Sequence, residues 1–253
     1  MILNENNIKQ TLFIDIETVS EKRTFEDLDE VYQTLWLKKA SKLGKITHNT
    51  EVDNEVIYRG NAAIYAEFGK VICISVGYLN NDGKLRIKTF AGHNEPKILR
   101  EFAHLLMHHY YDPQVHSMCG HNIKEFDIPY LCRRMVKHGL QVPPIMDISG
   151  KKPWQVEHLV DTLELWRFGD YKNYTSLALL CAMLDIPSPK EDIDGSMVGH
   201  VYWQEKELIR IVKYCGNDII AVVQVLMKLA RLPLLEEDHI EVIPWVEGSD
   251  EEE

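Results

Sequence analysis

Residues 11–17 read Thr-Leu-Phe-Ile-Asp-Ile-Glu, an apolar run of strand length that carries two carboxylates. Successive side chains of a strand alternate between faces, so Asp15 and Glu17 share one face while Leu12, Ile14 and Ile16 take the other. Two like charges side by side on such a strand repel each other. Burying them costs several kcal/mol unless something positive compensates. A pair of hard divalent cations does so economically, because Mg²⁺ and Mn²⁺ prefer carboxylate oxygen. The alternative is an exposed strand end with two solvated acids, since Asp-x-Glu arises by composition about once in a few hundred residues.

The remaining pattern is that of an α/β protein. Strands are expected over residues 71–79 and 84–90, joined by the turn Asn80-Asn-Asp-Gly83, then over 114–119 and 158–165. Helices are expected over 25–43, over 95–110 with Asn94 as N-cap, and over 126–138, 175–184 and 205–231. The last is the most periodic, with Leu208, Ile211, Cys215, Ile219, Val222, Leu226 and Leu229 in one apolar stripe. This order predicts a single domain over residues 1–235, a central mixed β-sheet flanked by helices. Residues 20–69 read as a partly helical insert, either a wall over a site or a lid, with a basic end at Lys38, Lys39, Lys42 and Lys45.

The net charge of −11 argues against a polyanionic partner until its location is considered. Residues 236–253 hold nine acids and no Lys or Arg, so residues 1–235 carry 28 basic against 30 acidic side chains. The acidic end is expected to be a flexible, solvated tail. The five cysteines form no CxxC pair, no apolar run approaches the length of a membrane helix, and residues 1–10 lack a signal-peptide core. The expected setting is cytoplasmic, without membrane contact.

Three further residues stand out. Asp218 lies mid-helix, where Asp is a poor residue, and Tyr214 is four residues earlier on the same side. Asp127 falls in the first turn of a helix after Gly120-His-Asn-Ile-Lys-Glu-Phe, where the ordinary role of an acid is capping; Asn122 could likewise simply hold the turn.

Taken together, Phe13-Ile-Asp15-Ile-Glu17-Thr18, His121-Asn122-(x)₃-Phe126-Asp127 and Tyr214-(x)₃-Asp218 resemble, in order and context, the three motifs of the DEDD superfamily. These are the ribonuclease H-like 3′–5′ exonucleases. Tyr214 assigns the resemblance to the DEDDy branch, because the DEDDh branch carries His where Lys213 stands. Residues 62–78, Asp194-Gly-Ser196 and Tyr214-Cys215 are similar to stand-alone exonucleases related to the proofreading domain of family-B DNA polymerases. The resemblance runs from about Leu12 to Leu232.

The resemblance implies a ribonuclease H-like fold in which Asp15, Glu17, Asp127 and Asp218 bind two Mg²⁺ or Mn²⁺ ions beside the scissile phosphate. One ion generates and orients a hydroxide, and the other stabilises the leaving 3′-oxygen. Tyr214, which ionises near pH 10 in water, is implied to orient the water rather than act as a base. Glu17 and Thr18 are implied to contact the terminal nucleotide, and Asn122 and Phe126 the substrate strand; core packing is the alternative for Phe126. Asp161 is expected to be structural. The implied substrate is the 3′ end of single-stranded DNA, with RNA or short oligonucleotides as the alternative, because catalytic carboxylates do not separate the two. A catalytically silent nucleic-acid-binding domain is the third reading, and retention of all four acids argues against it.

Overall fold

Strand β1, Thr11–Ser20, is paired on both sides, as a run this apolar requires. The computed structural model describes residues 8–46, 53–172, 174–187 and 192–247, without the side chains of 44–46. After β1 come helices α1 (Glu30–Ile46) and α2 (Asn54–Asn61), then strands β2 (Gly69–Leu79) and β3 (Leu85–Ala91). Helix α3 (Glu95–His109) leads to β4 (Ser117–Gly120), helix α4 (Asp127–Lys137) to β5 (Leu159–Asp161), and α5 (Thr162–Arg167) and α6 (Leu177–Met183) follow. A π-helical turn, Val201–Glu205, precedes the long helix α7 (Leu208–Leu229), and β6 (Ile240–Val242) comes last.

The sheet order is β5-β4-β1-β2-β3-β6. β1, β2 and β3 form an antiparallel meander, whereas β4 and β5 run parallel to β1, so their C-terminal ends meet at one edge of the fold. Leu12, Ile14 and Ile16 pack with Leu99 and Phe102 of α3 and Ile128 and Leu131 of α4. Phe13 and Cys119 pack on the opposite face with Ile219, Val222 and Leu226 of α7. The two cores make a three-layer α/β/α arrangement, each fully buried large side chain contributing roughly 1.5–3 kcal/mol. Among the described residues no helix is long and apolar enough to cross a membrane.

The insert has its own aromatic core. Trp36 is buried edge-on to Tyr58 and Phe68, with ring centroids 5.2 and 5.0 Å away. Its far end is tied to β1: Ala63 O accepts from Thr18 Oγ1 and from Tyr130 Oη, both at 2.9 Å. Of the basic side chains expected on α1, Lys39 lies with Nζ 3.7 Å from the Tyr65 ring centroid, and Lys45 falls outside the described side chains.

Several sequence expectations need correction. The strand expected over 158–165 ends at Asp161, because that side chain accepts from the backbone N–H groups of Leu163 and Glu164 and starts a helix. The last helix starts at Leu208 rather than 205, after Lys206 turns the chain at φ 60°. The acidic end is not wholly a solvated tail: β6 pairs parallel with β3, Ile243 N donates to Ile87 O, and Arg86 bridges to Glu241.

Candidate active site

The site grows from the face of β1 that α7 crosses. Cys215, in the apolar stripe of α7, donates its thiol to the backbone carbonyl of Asp15 at 3.5 Å. That contact fixes the helix on the strand, with half-buried Tyr214 and Asp218 beside the stripe. Directly after Glu17 the ladder steps from Glu17–Cys73 to Thr18–Val71, a β-bulge that re-aims the strand where its acids stand. Glu17 is 9% exposed. Tyr214 packs against the cluster that includes Val198 and Tyr202, its hydroxyl 3.8 Å from where a Cβ on Gly195 would sit.

The second wall comes from the end of β4. A Cβ on Gly120 would lie 2.0 Å from Ile123 Cγ2 and 2.7 Å from Ile14 O, so only a glycine lets the turn lie this close to β1. Asn122 adopts φ 69°, and its carbonyl accepts from the backbone N–H groups of Glu125 and Phe126. Asp161 holds this turn, accepting from Asn122 N at 2.9 Å and from Lys124 N at 3.2 Å. The turn delivers Asp127 to the first position of α4, 4% exposed, where it accepts from the Ile16 N–H.

The electrostatics show that the acids share one region. Burial raises the Asp15 carboxyl well above its ordinary range, and Cys215, Asp218, Glu17 and Asp127 raise it further. Burial pushes Asp127 up to about 7, with Asp161 and Asp218 adding to the shift and two backbone N–H bonds opposing it. Asp15 Oδ2 is buried without a hydrogen-bond partner among the described residues. Such an orphan costs about 1–3 kcal/mol or more unless something positive meets it. Donor atoms of Asp15, Glu17 and Cys215 lie within 4.8 Å of one another, a spacing that fits one ion. Burial and the neighbouring Cys73 push the Cys215 thiol well up, so it stays protonated and is a poor ligand. The carboxylate oxygens of Asp15 and Glu17 are therefore the atoms of this group that could hold a hard cation. Asp127 and Asp218 face the same region from α4 and α7 without joining the tight group.

The remaining expected residues differ in their engagement. The Thr18 hydroxyl is committed to Ala63 O. Phe126 packs partly buried against the core, 5.4 Å from the Tyr130 ring centroid. His121 ties the chain after β5 to the end of β4, its ring nitrogens 2.9 Å from Thr162 Oγ1 and 2.8 Å from Thr175 O. Tyr174, outside the three motifs, is exposed as a residue, but its hydroxyl end is partly buried and is raised by that burial and then by Asp127, Asp161 and Asp15. The signal available was local: three aromatics and three charges crowd residues 167–174.

Residues 63–241 match the family described as predicted 3′–5′ exonucleases related to the exonuclease domain of PolB, and the chain belongs to that family. The fold is similar to that of the family B DNA polymerase from the hyperthermophilic archaeon Pyrobaculum calidifontis, with TM-score 0.52 and 17% identity over 86% of this chain. The chain spans 24% of that polymerase. The ribonuclease H-like fold expected from the sequence is the fold observed. No curated protein matches the sequence.

Proposed function

We propose that this chain is a metal-dependent exonuclease that removes nucleotides from the 3′ end of single-stranded DNA. The observation that carries the reading is the convergence of Asp15, Glu17, Asp127 and Asp218 from three elements on one region, with a buried oxygen on Asp15 that has no hydrogen-bond partner among the described residues. Family membership supports the reaction class.

Asp15, Glu17, Asp127 and Asp218 would hold two Mg²⁺ or Mn²⁺ ions, which when bound supply a nucleophile at neutral pH and charge for the leaving oxygen. Asp15 and Glu17, fixed on a rigid central strand, set the position of the scissile phosphate. Tyr214 orients the attacking water through its hydroxyl. Glu17 contacts the terminal 3′-OH, and Thr18 offers its backbone to the last nucleotide because its hydroxyl is already used. Asn122 and Phe126 border the strand's path from the opposite wall.

A 5′-labelled single-stranded DNA and its RNA counterpart, incubated with Mn²⁺, Mg²⁺ or EDTA, test the proposal. A ladder shortening from the 3′ end, dependent on metal and absent in Asp15→Ala, is expected with DNA. Faster shortening of RNA would overturn the substrate assignment, and no shortening of either strand would overturn the reaction.

A further inference from the structure

The chain that leaves β5 carries Phe168, Tyr171 and Tyr174, which are 86%, 72% and 62% exposed. Single exposed hydrophobics are ordinary, but three exposed aromatics within seven residues offer flat apolar surface that a ligand can cover. The patch adjoins the acids. His121 Nε2 meets Thr175 O at 2.8 Å, and the Tyr174 ring lies edge-on to His121, 6.3 Å between centroids. Tyr171 and Arg167 line a shallow pocket together with Asn122, Lys124 and Asp161. Tyr171 and Tyr174 therefore both border the turn that delivers Asp127.

Arg167 keeps hydrogen-bonding capacity at the strip although it pairs loosely with Glu125. Arg167 is 13% exposed at its side chain, and its Nε is buried without a hydrogen-bond partner among the described residues. Glu125, 70% exposed, stands 3.8 Å from Arg167 Nη1, beyond a direct hydrogen bond. Lys172 lies within the strip. Lys124 is already paired with Glu164, which leaves Lys172 and the loosely paired Arg167 as the cations of the strip among the described residues.

We propose that Phe168, Tyr171 and Tyr174 stack successive bases of a single-stranded polynucleotide, with Arg167 on its phosphate backbone, and so feed the 3′ end to the acids. The inference rests on the exonuclease reading and adds the surface that binds the strand upstream of the cleaved bond. Flat exposed rings beside a cation suit a single strand, which offers both unpaired bases and phosphates. Stacking tolerates any base, so the track confers preference for single strands over duplexes rather than for a sequence.

The test uses the full chain and the variants Tyr171→Ala, Tyr174→Ala, Tyr174→Phe and Arg167→Gln. Binding of a 5′-fluorescein-labelled 12-nucleotide poly-dT, and of poly-rU of the same length, is followed by anisotropy with Ca²⁺ in place of Mg²⁺. Each alanine change is expected to weaken binding about tenfold. Tyr174→Phe restores affinity, because the ring survives. Arg167→Gln flattens the salt dependence by about one charge. In steady-state assays the KM for the 12-mer rises about tenfold more than the KM for a dinucleotide. Wild-type affinity in both alanine variants would overturn the stacking, whether or not the chain cleaves. Cleavage by wild type with unshifted 12-mer KM in the variants would sink this inference alone. An inactive wild type whose binding still falls on substitution would leave the strip standing and remove the exonuclease reading. A circular dichroism melt within a few degrees of wild type shows that the variants are folded.

Discussion

Ile219 of α7 rests on Gly77 of β2, and a Cβ at Gly77 would lie 2.6 Å from Ile219 Cγ2. A β-branched side chain has little freedom to yield, so the helix itself must move if the space is filled. Asp218 is the preceding residue. Gly77→Ala should therefore cost about 1–3 kcal/mol in urea unfolding and also lower exonuclease activity. The double change Gly77→Ala, Ile219→Ala should cost less than the two single costs combined, because deleting Cγ2 removes the clash.

The raised Asp15 and Asp127 carboxyls make the metal-free fold sensitive to pH. Asp127, pushed up to about 7, binds its proton more tightly folded than unfolded, where the value is about 3.9. Its contribution to stability is thus complete below the unfolded value and is lost as pH rises toward 7. Melting temperatures in EDTA should fall across that window, and Mn²⁺ should restore them at pH 7. Asp15→Asn should raise the melting temperature in EDTA at pH 7, shrink the Mn²⁺-induced shift and abolish activity. A lower melting temperature for Asp15→Asn in EDTA would contradict the repulsion argument.

Tyr214→Phe keeps the ring in its packing against Val198 and Tyr202 and removes only the hydroxyl. The expected result is a fall in kcat of about 10²-fold with KM within about twofold. An unchanged kcat would remove Tyr214 from the mechanism.

Arg134 is 1% exposed and donates to both carboxylate oxygens of Glu95, to Ala66 O and to Glu21. It joins α4 to α3 and to the end of the insert. Arg134→Ala should cost about 3–5 kcal/mol in chemical unfolding, because it leaves buried Glu95 without its main partner. Glu95 retains Val71 N and His138 Nε2, which is why complete unfolding is not expected.

Much of this was legible because the sequence breaks its own patterns at the site. Acids interrupt an otherwise apolar strand at Asp15 and Glu17, and an Asp interrupts the richest helix at Asp218. The stripe from Leu208 to Leu226 is buried as its spacing predicts. What could not be read was decided by contacts distant in sequence. Leu163 and Leu165 alternate as in a strand, yet Asp161 caps a helix there. Helix α2 has no long apolar stripe and exists because Tyr58 closes over Trp36. The placement of Tyr174 depends on His121, more than fifty residues earlier. The bulge after Glu17 leaves no trace in residue types.

The three residues of β6 have a consequence beyond the site. Without them β3 would be an open edge, seven residues long, offering unpaired backbone groups to any other chain. β6 occupies that edge with a short strand, places Glu241 on it opposite Arg86, and is followed two residues later by Pro244. A second molecule seeking to extend the sheet meets negative charge and a residue that cannot donate to a ladder. Part of the acidic end thus closes Leu85–Ile87 of the sheet edge with a strand ill-suited to further pairing, an effect that comes from where Glu241 and Pro244 stand.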